Sequence, residues 1–408
     1  MIYDVIIIGA GAAGLFTAAN IRGGSVLLLE KNERAGIKLV ISGGGKCNFT
    51  NMLETNDMIE HYFDKKHFVK PAIFNFSPND LIKYFNKKKL KTVTDEEGRV
   101  FPESMSSVDV LNLILNQCIK NKVKIIYSSP VISIRKANNR FFIQSEKGFY
   151  ESKYTVIATG GKSYPSTGSE GDGYKFAKAF GHKIINPGAA LTPIKVKNGF
   201  EKLSGITVKW KRISVYREGE KIAETTGDIL FTHTGLSGPA VLNLSRMIKA
   251  GDIIVVSLTN FKNMESLLFD IKCKIAENGK KNMVNIIRLY DIPYKMARHV
   301  LKSSGVEYRE RAGDMTRVEI RKVVENLFLE YKVERKYGFK KAMLTRGGVT
   351  TNEINSHTME SKLINGLYFA GEIIDVDGES GGYNLQFAFS SGKLVANDIN
   401  RKLKGKCD

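Results

Sequence analysis

A glycine-rich turn near the start of the chain constrains the fold more than any other feature of the sequence. Residues 5–8 are apolar and predict a buried strand. Gly9, Gly11 and Gly14 follow it in a G-x-G-x-x-G pattern at the start of a predicted helix. The first glycine allows a tight turn, the second lets a pyrophosphate approach the backbone, and the third lets helix and strand pack closely. The pattern predicts a Rossmann-like, dinucleotide-binding α/β domain.

A carboxylate at the end of the second predicted strand indicates which part of a nucleotide this domain binds. The apolar run over residues 25–29 ends in Glu30, 16 residues after Gly14. In that position Glu30 can accept hydrogen bonds from both hydroxyls of an adenosine ribose. A 2′-phosphate would meet a negative charge there, so NADP is disfavoured as the ligand of this first site.

Segments far along the chain favour FAD over NAD. Residues 365–372 predict a short strand that closes on Ala-Gly-Glu, and residues 381–386 precede an amphipathic helix. FAD binds in an extended form, with its ribitol and isoalloxazine far from the adenine. Segments late in the chain must therefore return to the nucleotide-binding domain to hold them. Glu372 can bind a ribitol hydroxyl, and the N–H groups of a helix N-terminus stabilise negative charge at N1–C2=O of reduced flavin. Residues 155–161 add a strand that runs into the Ala-Thr-Gly of flavoproteins with two dinucleotide-binding folds.

Residues 43–51, Gly-Gly-Gly-Lys-Cys-Asn-Phe-Thr-Asn, resemble the G-G-G-[RK]-C-N-x-T-N signature of a bacterial flavoprotein family. Its members are NAD(P)/FAD-dependent oxidoreductases of the BaiN and aminoacetone-oxidase type. Further matches that support the resemblance lie at residues 97–102, 167–173, 231–239, 347–349 and 359–392. The resemblance covers essentially the whole chain and implies a fold and a cofactor. It implies no single substrate, because similar proteins are connected with C=C reduction in steroid-like acids and with oxidation of small amines.

These motifs predict a site for one non-covalently bound FAD. The residues expected to contact it are Gly9, Gly11, Ala12, Ala13, Gly14, Glu30, Lys31, Lys38, Ser42, Gly43, Gly44, Gly45, Cys47, Asn48, Thr50, Val131, Ala158, Thr159, Gly160, Gly371, Glu372, Gly382, Asn384, Leu385 and Gln386. NAD(P)H, if it is the electron donor, is expected to bind only transiently, because the sequence contains one dinucleotide fingerprint.

Three side chains are candidates for the chemistry beyond the flavin. Cys47 has no partner cysteine four or five residues on, so it is expected to pack against the flavin and not to relay electrons. His233, in a Gly-flanked turn, is a candidate proton donor or a structural cap of that turn. Tyr383, which follows Gly381 and Gly382, is a candidate proton donor or a residue that shapes the pocket.

Composition limits the remaining function classes. The net charge is +20. The basic residues are dispersed along the chain, and no recognition-helix or RNP-like motif organises them. We therefore expect lysines on solvated faces and no specific nucleic-acid partner. No apolar run approaches the length of a membrane span, and the start of the chain does not resemble a signal peptide. The four cysteines have no metal-like spacing. A cytoplasmic enzyme with a small-molecule substrate and no metal is therefore expected, and its oligomeric state stays open.

The pattern of predicted elements divides the chain. Residues 1–187 and 345–408 are predicted to form a discontinuous, glutathione-reductase-like FAD-binding domain. Residues 188–344 are predicted to form an inserted substrate or cap domain, with antiparallel, barrel-like β structure at about 188–262 and helices at about 263–335.

The predicted function is that of an FAD-dependent oxidoreductase that transfers a hydride between flavin N5 and a small organic substrate. With NAD(P)H as donor, this is a C=C reductase of a steroid-like or unsaturated acid. An amine oxidase that uses O₂ is one alternative. A flavin-bearing protein that binds or modifies RNA is an alternative of another class.

Overall fold

The structure, a computed structural model, forms two compact units. Unit 1 comprises residues 1–189 and 343–408, and unit 2 comprises residues 190–342. Each unit has its own core of buried apolar side chains. The residues described are 1–197, 199–200, 202–307 and 311–405.

The N-terminal part of unit 1 alternates strands and helices. In chain order these are β1 (Ile2–Ile8), α1 (Ala12–Ala18), β2 (Val26–Leu29), α2 (Ile37–Ile41), β3 (Thr50–Asn51), α3 (Thr55–Glu60), α4 (Lys66–Asn75), α5 (Pro78–Lys87), β4 (Thr92–Thr94), β5 (Arg99–Pro102), α6 (Ser107–Lys120), β6 (Lys124–Ile126), β7 (Val131–Ala137), β8 (Arg140–Ser145), β9 (Gly148–Ile157), α7 (Asp172–Ala179) and β10 (Ile184–Ala190).

Unit 2 begins with long strands and continues with helices. Its elements are β11 (Ile194–Val196), β12 (Thr207–Arg217), β13 (Glu220–Phe231), β14 (Gly235–Ser237), α8 (Pro239–Leu244), β15 (Ile253–Ser257), α9 (Met264–Asn278), α10 (Met283–Arg288), α11 (Tyr294–Ser303), α12 (Arg317–Glu325) and β16 (Phe328–Lys336). The chain then returns to unit 1 with β17 (Leu344–Val349), β18 (Leu367–Phe369) and α13 (Tyr383–Lys404).

A parallel sheet organises unit 1. Strands β6, β2, β1 and β9 are parallel neighbours in that order, and β18 pairs in parallel with the end of β9. The first half of β9 also pairs with β8, and β7 follows as an antiparallel edge. The strands β1 and β2 are buried along most of their length and are apolar without alternation, as parallel strands covered on both faces are. Because ligands bind beyond the carboxyl ends of such strands, the ends of β1, β2, β9 and β18 locate the site.

A closed barrel organises the strands of unit 2. The order is β11-β14-β13-β12-β15-β16, and β16 pairs with β11 to close it. Ile213 and Val215 of β12 and Ile254 and Val256 of β15 are fully buried and alternate with residues of the other face. This period of two is the pattern expected of antiparallel strands with one face in a core.

One part of the predicted insertion differs from the structure. Residues 328–336 were expected to end a helical region but form β16, which pairs antiparallel with β15. Leu329 and Val333 are buried and alternate with exposed Glu330 and Lys332. This alternation is short and directly follows α12. The helical periodicity of the preceding residues therefore led the predicted helical region to extend over the strand. Closing the barrel satisfies backbone groups that an isolated edge would leave exposed.

The described residues contain no helix that is both long and apolar enough to cross a bilayer. In the same part of the chain, no group of three or more His, Cys, Asp and Glu side chains is placed to hold a metal ion.

The division of the chain into two units can be tested where the chain leaves and re-enters unit 1. β10 and β17 pair with one another, so the two crossing points lie side by side. Replacing residues 190–342 with a short Gly/Ser linker should therefore leave unit 1 folded and able to bind the nucleotide, because its sheet and core stay complete. Circular dichroism and flavin stoichiometry measure this. A folded variant that has lost flavin binding would contradict it.

Candidate flavin site

The glycine-rich turn lies against the start of the segment after β9. A Cβ atom on Gly14 would lie 1.9 Å from the Gly9 carbonyl oxygen and 3.3 Å from Ala158 Cβ. Gly9 has φ +101°, and a Cβ there would lie 2.6 Å from the Ala158 carbonyl oxygen. No side chain fits at either position, so the close approach of β1, α1 and β9 requires these glycines.

The second glycine of the turn has a different environment. A Cβ atom added to Gly11 would have no described atom within 4 Å, other than those of the two neighbouring residues in the chain. Gly11 is the N-cap of α1 and has no side chain to bond the first N–H groups of the helix. Open space above free N–H groups suits a pyrophosphate.

Glu30 connects the end of β2 to the glycine-rich turn. Its Oε2 accepts a hydrogen bond from Ala10 N at 2.7 Å, and its Oε1 accepts from Asn32 N at 2.9 Å and from Asn32 Nδ2 at 2.7 Å. The residue is buried, at 7% exposure. A carboxylate has about four acceptor positions. The carboxylate is thus fixed in orientation and retains acceptor capacity for a ribose hydroxyl.

The residues 42–45 form a 3₁₀ turn with an unusual backbone. Gly43, Gly44 and Gly45 have φ of +56°, +66° and +88°, a left-handed conformation that side chains disfavour. A Cβ on Gly44 or Gly45 would meet no described atom within 4 Å. Successive glycines in this conformation present backbone to open space, where a planar ring can approach.

Cys47 follows this turn and is fully buried. Burial raises the pKa of its thiol to about 12. A buried, protonated thiol is inert, and the packing of Cys47 against a flavin stays a prediction.

Glu372, predicted to bind the ribitol, is bonded to residues of its own unit. Its Oε1 accepts from Ser163 Oγ at 2.7 Å and from Thr345 N at 2.8 Å, and its Oε2 forms a salt bridge with Lys38. Lys38 also donates to Ser163 Oγ at 2.6 Å. These bonds join α2, the segment after β9, β17 and the segment after β18.

The start of α13 lies against the strand that follows the Gly43–Gly45 turn. A Cβ on Gly382, whose φ is +101°, would lie 2.4 Å from the Thr50 carbonyl oxygen. With its amide nitrogen toward that carbonyl, Asn48 donates to Thr50 O at 2.9 Å and accepts from Gly382 N at 3.1 Å. Tyr383 is the first residue of α13 and is 5% exposed, and burial raises the pKa of its hydroxyl. The motifs around Asn48 and Gly382, over 300 positions apart in sequence, thus meet.

Two amides of α13 that were predicted to contact FAD bond to protein. Asn384 accepts from Gly378 N at 2.8 Å and donates to the carbonyl oxygens of Gly378 and Glu379, each at 3.0 Å. Gln386 donates to Phe76 O at 3.0 Å and is fully buried. Both side chains fix the approach to α13, and their contact with a cofactor stays a prediction.

The other predicted FAD residues lie around these elements. Ala13 packs against Gly371, where an added Cβ would lie 2.7 Å from Ala13 Cβ. Lys31 forms salt bridges with Glu170 at 2.7 Å and Asp172 at 2.8 Å. The remaining ones are Ala12 at the start of α1, Ser42 before the glycine turn, Val131 at the start of β7, Gly160 after β9, and Leu385 in the first turn of α13.

His233 lies in unit 2, whereas the other predicted site residues lie in unit 1. It is exposed on the turn between β13 and β14, and its carbonyl oxygen accepts from Phe200 N at 2.9 Å. Its role as a proton donor stays a prediction.

Sequence reasoning missed a histidine–glutamate pair beside Tyr383. His61 Nδ1 lies 2.8 Å from Glu379 Oε2, and the His61 ring stacks on the Tyr383 ring with centroids 4.2 Å apart. The two residues are 318 positions apart. The one signal in the sequence was that Glu379 lies two residues before the Gly381-Gly382 pair.

The residues present fit an FAD. The hydroxyls of Thr50 and Thr159 are buried and have no hydrogen-bond partner within the described residues. Leaving a buried hydroxyl unpaired costs about 1–3 kcal/mol, so a polar ligand at these positions would recover that energy. The hydroxyls lie in the two segments where the sequence predicts cofactor contacts, alongside the open space at Gly11 and Gly44.

The fold and this site define a nucleotide-binding protein of the flavoprotein type, and comparison with known proteins gives its family. Residues 3–398 match the model described as "HI0933-like protein Rossmann domain". The chain belongs to this family, which is of the FAD-dependent oxidoreductase type. It is therefore an oxidoreductase, and the predicted family, fold class and enzyme class are confirmed.

Relatives of similar length carry two kinds of name. A "Ribosomal RNA dihydrouridine synthase" of Haemophilus influenzae is 32% identical, with 97% of this chain and 98% of that protein covered. A "3-dehydro-bile acid delta(4,6)-reductase" of Clostridium scindens is 29% identical, with 95% and 97% covered. The solved 3-ketosteroid delta1-dehydrogenase of Sterolibacterium denitrificans, 14% identical with a TM-score of 0.52, covers 98% of this chain and 100% of that one and shares the fold.

Substitution of Glu30 tests the adenosine end of the site. Glu30→Ala should weaken FAD binding about tenfold or more, because hydrogen bonds to a charged group contribute about 1.5–3 kcal/mol each. The measurement is the Kd for FAD by fluorescence quenching of the reconstituted protein. The matched control is Glu33→Ala, since Glu33 is exposed three residues further on. Unchanged affinity in a folded Glu30→Ala variant would contradict the assignment.

Thiol reactivity tests the burial of Cys47. At pH 8 a thiol with a pKa of about 12 is ionised in only about 10⁻⁴ of molecules, and burial also blocks access. Cys118 is buried with the same pKa, whereas Cys273 is exposed. In a Cys407→Ser background, because Cys407 lies outside the described residues, a disulfide reagent should modify Cys273 alone until the protein is unfolded. Rapid modification of Cys47 in the folded protein would show that the thiol is accessible.

Proposed function

We propose that the protein is an FAD-dependent reductase of a C=C bond conjugated to a carbonyl group, and that its substrate is uridine in ribosomal RNA. The observation that carries the flavin part is the meeting of four elements in unit 1: the turn at Gly9–Gly14, Glu30, the Gly43–Gly45 turn and the start of α13. Reduced FAD supplies a hydride from N5 when bound.

The names of the relatives support the reaction class. Dihydrouridine is uridine with its C5=C6 bond reduced, and that bond is conjugated with C4=O. The other name describes reduction of double bonds conjugated with a 3-keto group. In both substrates the hydride enters at the far carbon of a double bond conjugated with a carbonyl, and the carbon nearer to the carbonyl takes the proton. One flavin site can therefore serve either reaction.

Within this site the protein would orient the flavin and stabilise its charge. Gly11 and α1 would hold the pyrophosphate, and Glu30 the adenosine ribose. The N-terminus of the 22-residue helix α13 would stabilise negative charge on the reduced pyrimidine ring. Glu372 keeps the segment after β18 in place through Lys38 and Ser163.

The distribution of charge favours an RNA substrate over a small acid. Unit 2 has 29 Lys and Arg against 17 Asp and Glu, so it carries +12 of the total +20 on 153 residues. A bile acid, with one carboxylate, needs no such surplus, whereas a polyanion gains affinity from each phosphate contact. The expectation of no specific nucleic-acid partner rested on the dispersal of the basic residues and on the absence of a known motif, and neither excludes recognition of folded RNA through its backbone.

One surface of unit 2 combines cations with an exposed ring. The guanidinium groups of Arg288 and Arg298 each lie 5.8 Å from the centroid of the Tyr294 ring, which is 43% exposed. Lys295 and Lys302 are exposed on the same helix, α11. These five residues form the α10–α11 surface. Rings beside cations stack on unpaired bases and neutralise phosphates, so we propose that this surface contacts the RNA.

The test of the function is re-oxidation of the reduced flavin without oxygen. FAD-loaded protein, reduced with one equivalent of dithionite, should turn yellow again on addition of ribosomal RNA stripped of protein, and nucleoside mass spectrometry should detect dihydrouridine. Re-oxidation by a 3-oxo-Δ4,6 bile acid and not by RNA would identify the small-molecule reductase instead. Bleaching of oxidised FAD by a primary amine would contradict both and favour an amine oxidase. The same assay with NADH and NADPH in place of dithionite tests the proposed nicotinamide donor.

Charge reversal on the α10–α11 surface tests the RNA contact. The Arg288→Glu/Lys302→Glu variant should bind ribosomal RNA more weakly, and its slope of log K against log salt concentration should fall by about 2 if each cation contacts one phosphate. The matched control is Lys272→Glu/Lys280→Glu, which changes the charge equally at exposed positions in and just after α9. Equal slopes for the two variants would exclude the surface.

A further inference from the structure

We propose that His61 is the proton donor to the substrate carbon, held in position by Glu379 and by the ring of Tyr383. This inference rests on the proposed function, since it takes the flavin ring to lie at the start of α13. It assigns the second half of the C=C reduction, the proton, to a residue of this chain.

The His61–Glu379 pair is fixed by two bonds. The Glu379 carboxylate accepts from His61 Nδ1 at 2.8 Å, and Glu379 N donates to the His61 carbonyl oxygen at 3.1 Å. Asn384 holds the other side of Glu379 by donating to its carbonyl oxygen at 3.0 Å. His61 therefore has a defined position although it lies in a turn after α3.

The ring of His61 is placed against the first residue of α13. The His61 and Tyr383 rings are 4.2 Å apart and nearly parallel, at 17°. Tyr62 donates from its hydroxyl to the Tyr383 carbonyl oxygen at 2.7 Å, which fixes the backbone at that point. Tyr383 is buried, whereas the side chains of His61 and Glu379 are each 31% exposed. Of the stacked pair, His61 is the ring that a substrate can reach.

The hydrogen bond to Glu379 decides which nitrogen exchanges a proton. A carboxylate at Nδ1 keeps the proton on that nitrogen, so Nε2 is the nitrogen that gives and takes a proton. In the reduction, the C=C π bond breaks and two C–H bonds form. His61 Nε2 gives a proton to one carbon and the other carbon takes the hydride, two electrons included, from the reduced flavin. His61 is then neutral and regains a proton from water, and a reduced nicotinamide nucleotide restores the reduced flavin.

Other titratable groups near the start of α13 are less suited to this step. Burial raises the pKa of the Cys47 thiol to about 12. Burial also raises the pKa of the Tyr383 and Tyr62 hydroxyls, and Tyr62 is bonded to a carbonyl. The His61 imidazole can give a proton from one ring nitrogen while the other nitrogen stays bonded to Glu379.

The test compares His61→Gln and Glu379→Gln with the wild type in FAD-loaded, full-length protein. His67→Gln is the matched control, because His67 is an exposed histidine on α4. Reduced protein is mixed without oxygen with protein-free ribosomal RNA or with a 3-oxo-Δ4,6 bile acid, and flavin re-oxidation is followed. His61→Gln should keep its FAD and the spectrum of reduced flavin but re-oxidise about 10²–10⁴-fold more slowly. His67→Gln should stay close to the wild-type rate.

Two outcomes have different meanings. A wild-type rate in His61→Gln would overturn the assignment and leave the proposed function intact. Failure of the wild-type protein to react with either substrate would overturn the proposed function, and the assignment with it.

A spectroscopic measurement tests the part of Glu379 without turnover. In protein labelled with ¹⁵N-histidine and loaded with FAD, His61 should carry its proton on Nδ1. Glu379→Gln should lose this fixed tautomer while FAD affinity stays unchanged. A proton on Nε2 alone in the neutral wild-type ring would show that Glu379 does not position His61.

Discussion

The close backbone approach of α1 to its neighbours is the constraint on which the rest of unit 1 depends. At Gly9 and Gly14 the turn meets the end of β9, and at Gly392 of α13 an added Cβ would lie 2.8 Å from the Ala13 carbonyl oxygen. Larger residues at these positions would force the layers apart. The N-terminal fingerprint and the C-terminal helix would then no longer lie close together.

Polar contacts fix what the glycines bring together. Glu30 bonds the turn to the end of β2, and the Glu372–Lys38 salt bridge joins α2 to the segment after β18. Asn384 and Asn48 hold the approach to α13. Protein groups make these bonds with one another and so fix the orientation of the site, which is what a protein contributes to the chemistry of a cofactor.

The sequence predicted those features whose cause is local. The fingerprint glycines between β1 and α1 and the carboxylate after β2 each follow from a few neighbouring residues, and the structure contains both. Features with a tertiary cause escaped prediction. The strand β16 forms because its pairing closes the barrel. Asn384 bonds to Gly378 in the loop before α13. His61 meets Glu379 only because two distant segments pack together. No spacing rule reaches across 318 positions, so a lone histidine after a short helix carried no signal.

The identity of the flavin in the purified protein tests the central claim most directly. Heat-released flavin should be FAD at one per chain, because Glu30 and the turn at Gly11 are assigned to the adenosine half of the molecule. FMN as the sole flavin, or a colourless protein that takes up no FAD on reconstitution, would contradict the assignment of an FAD site.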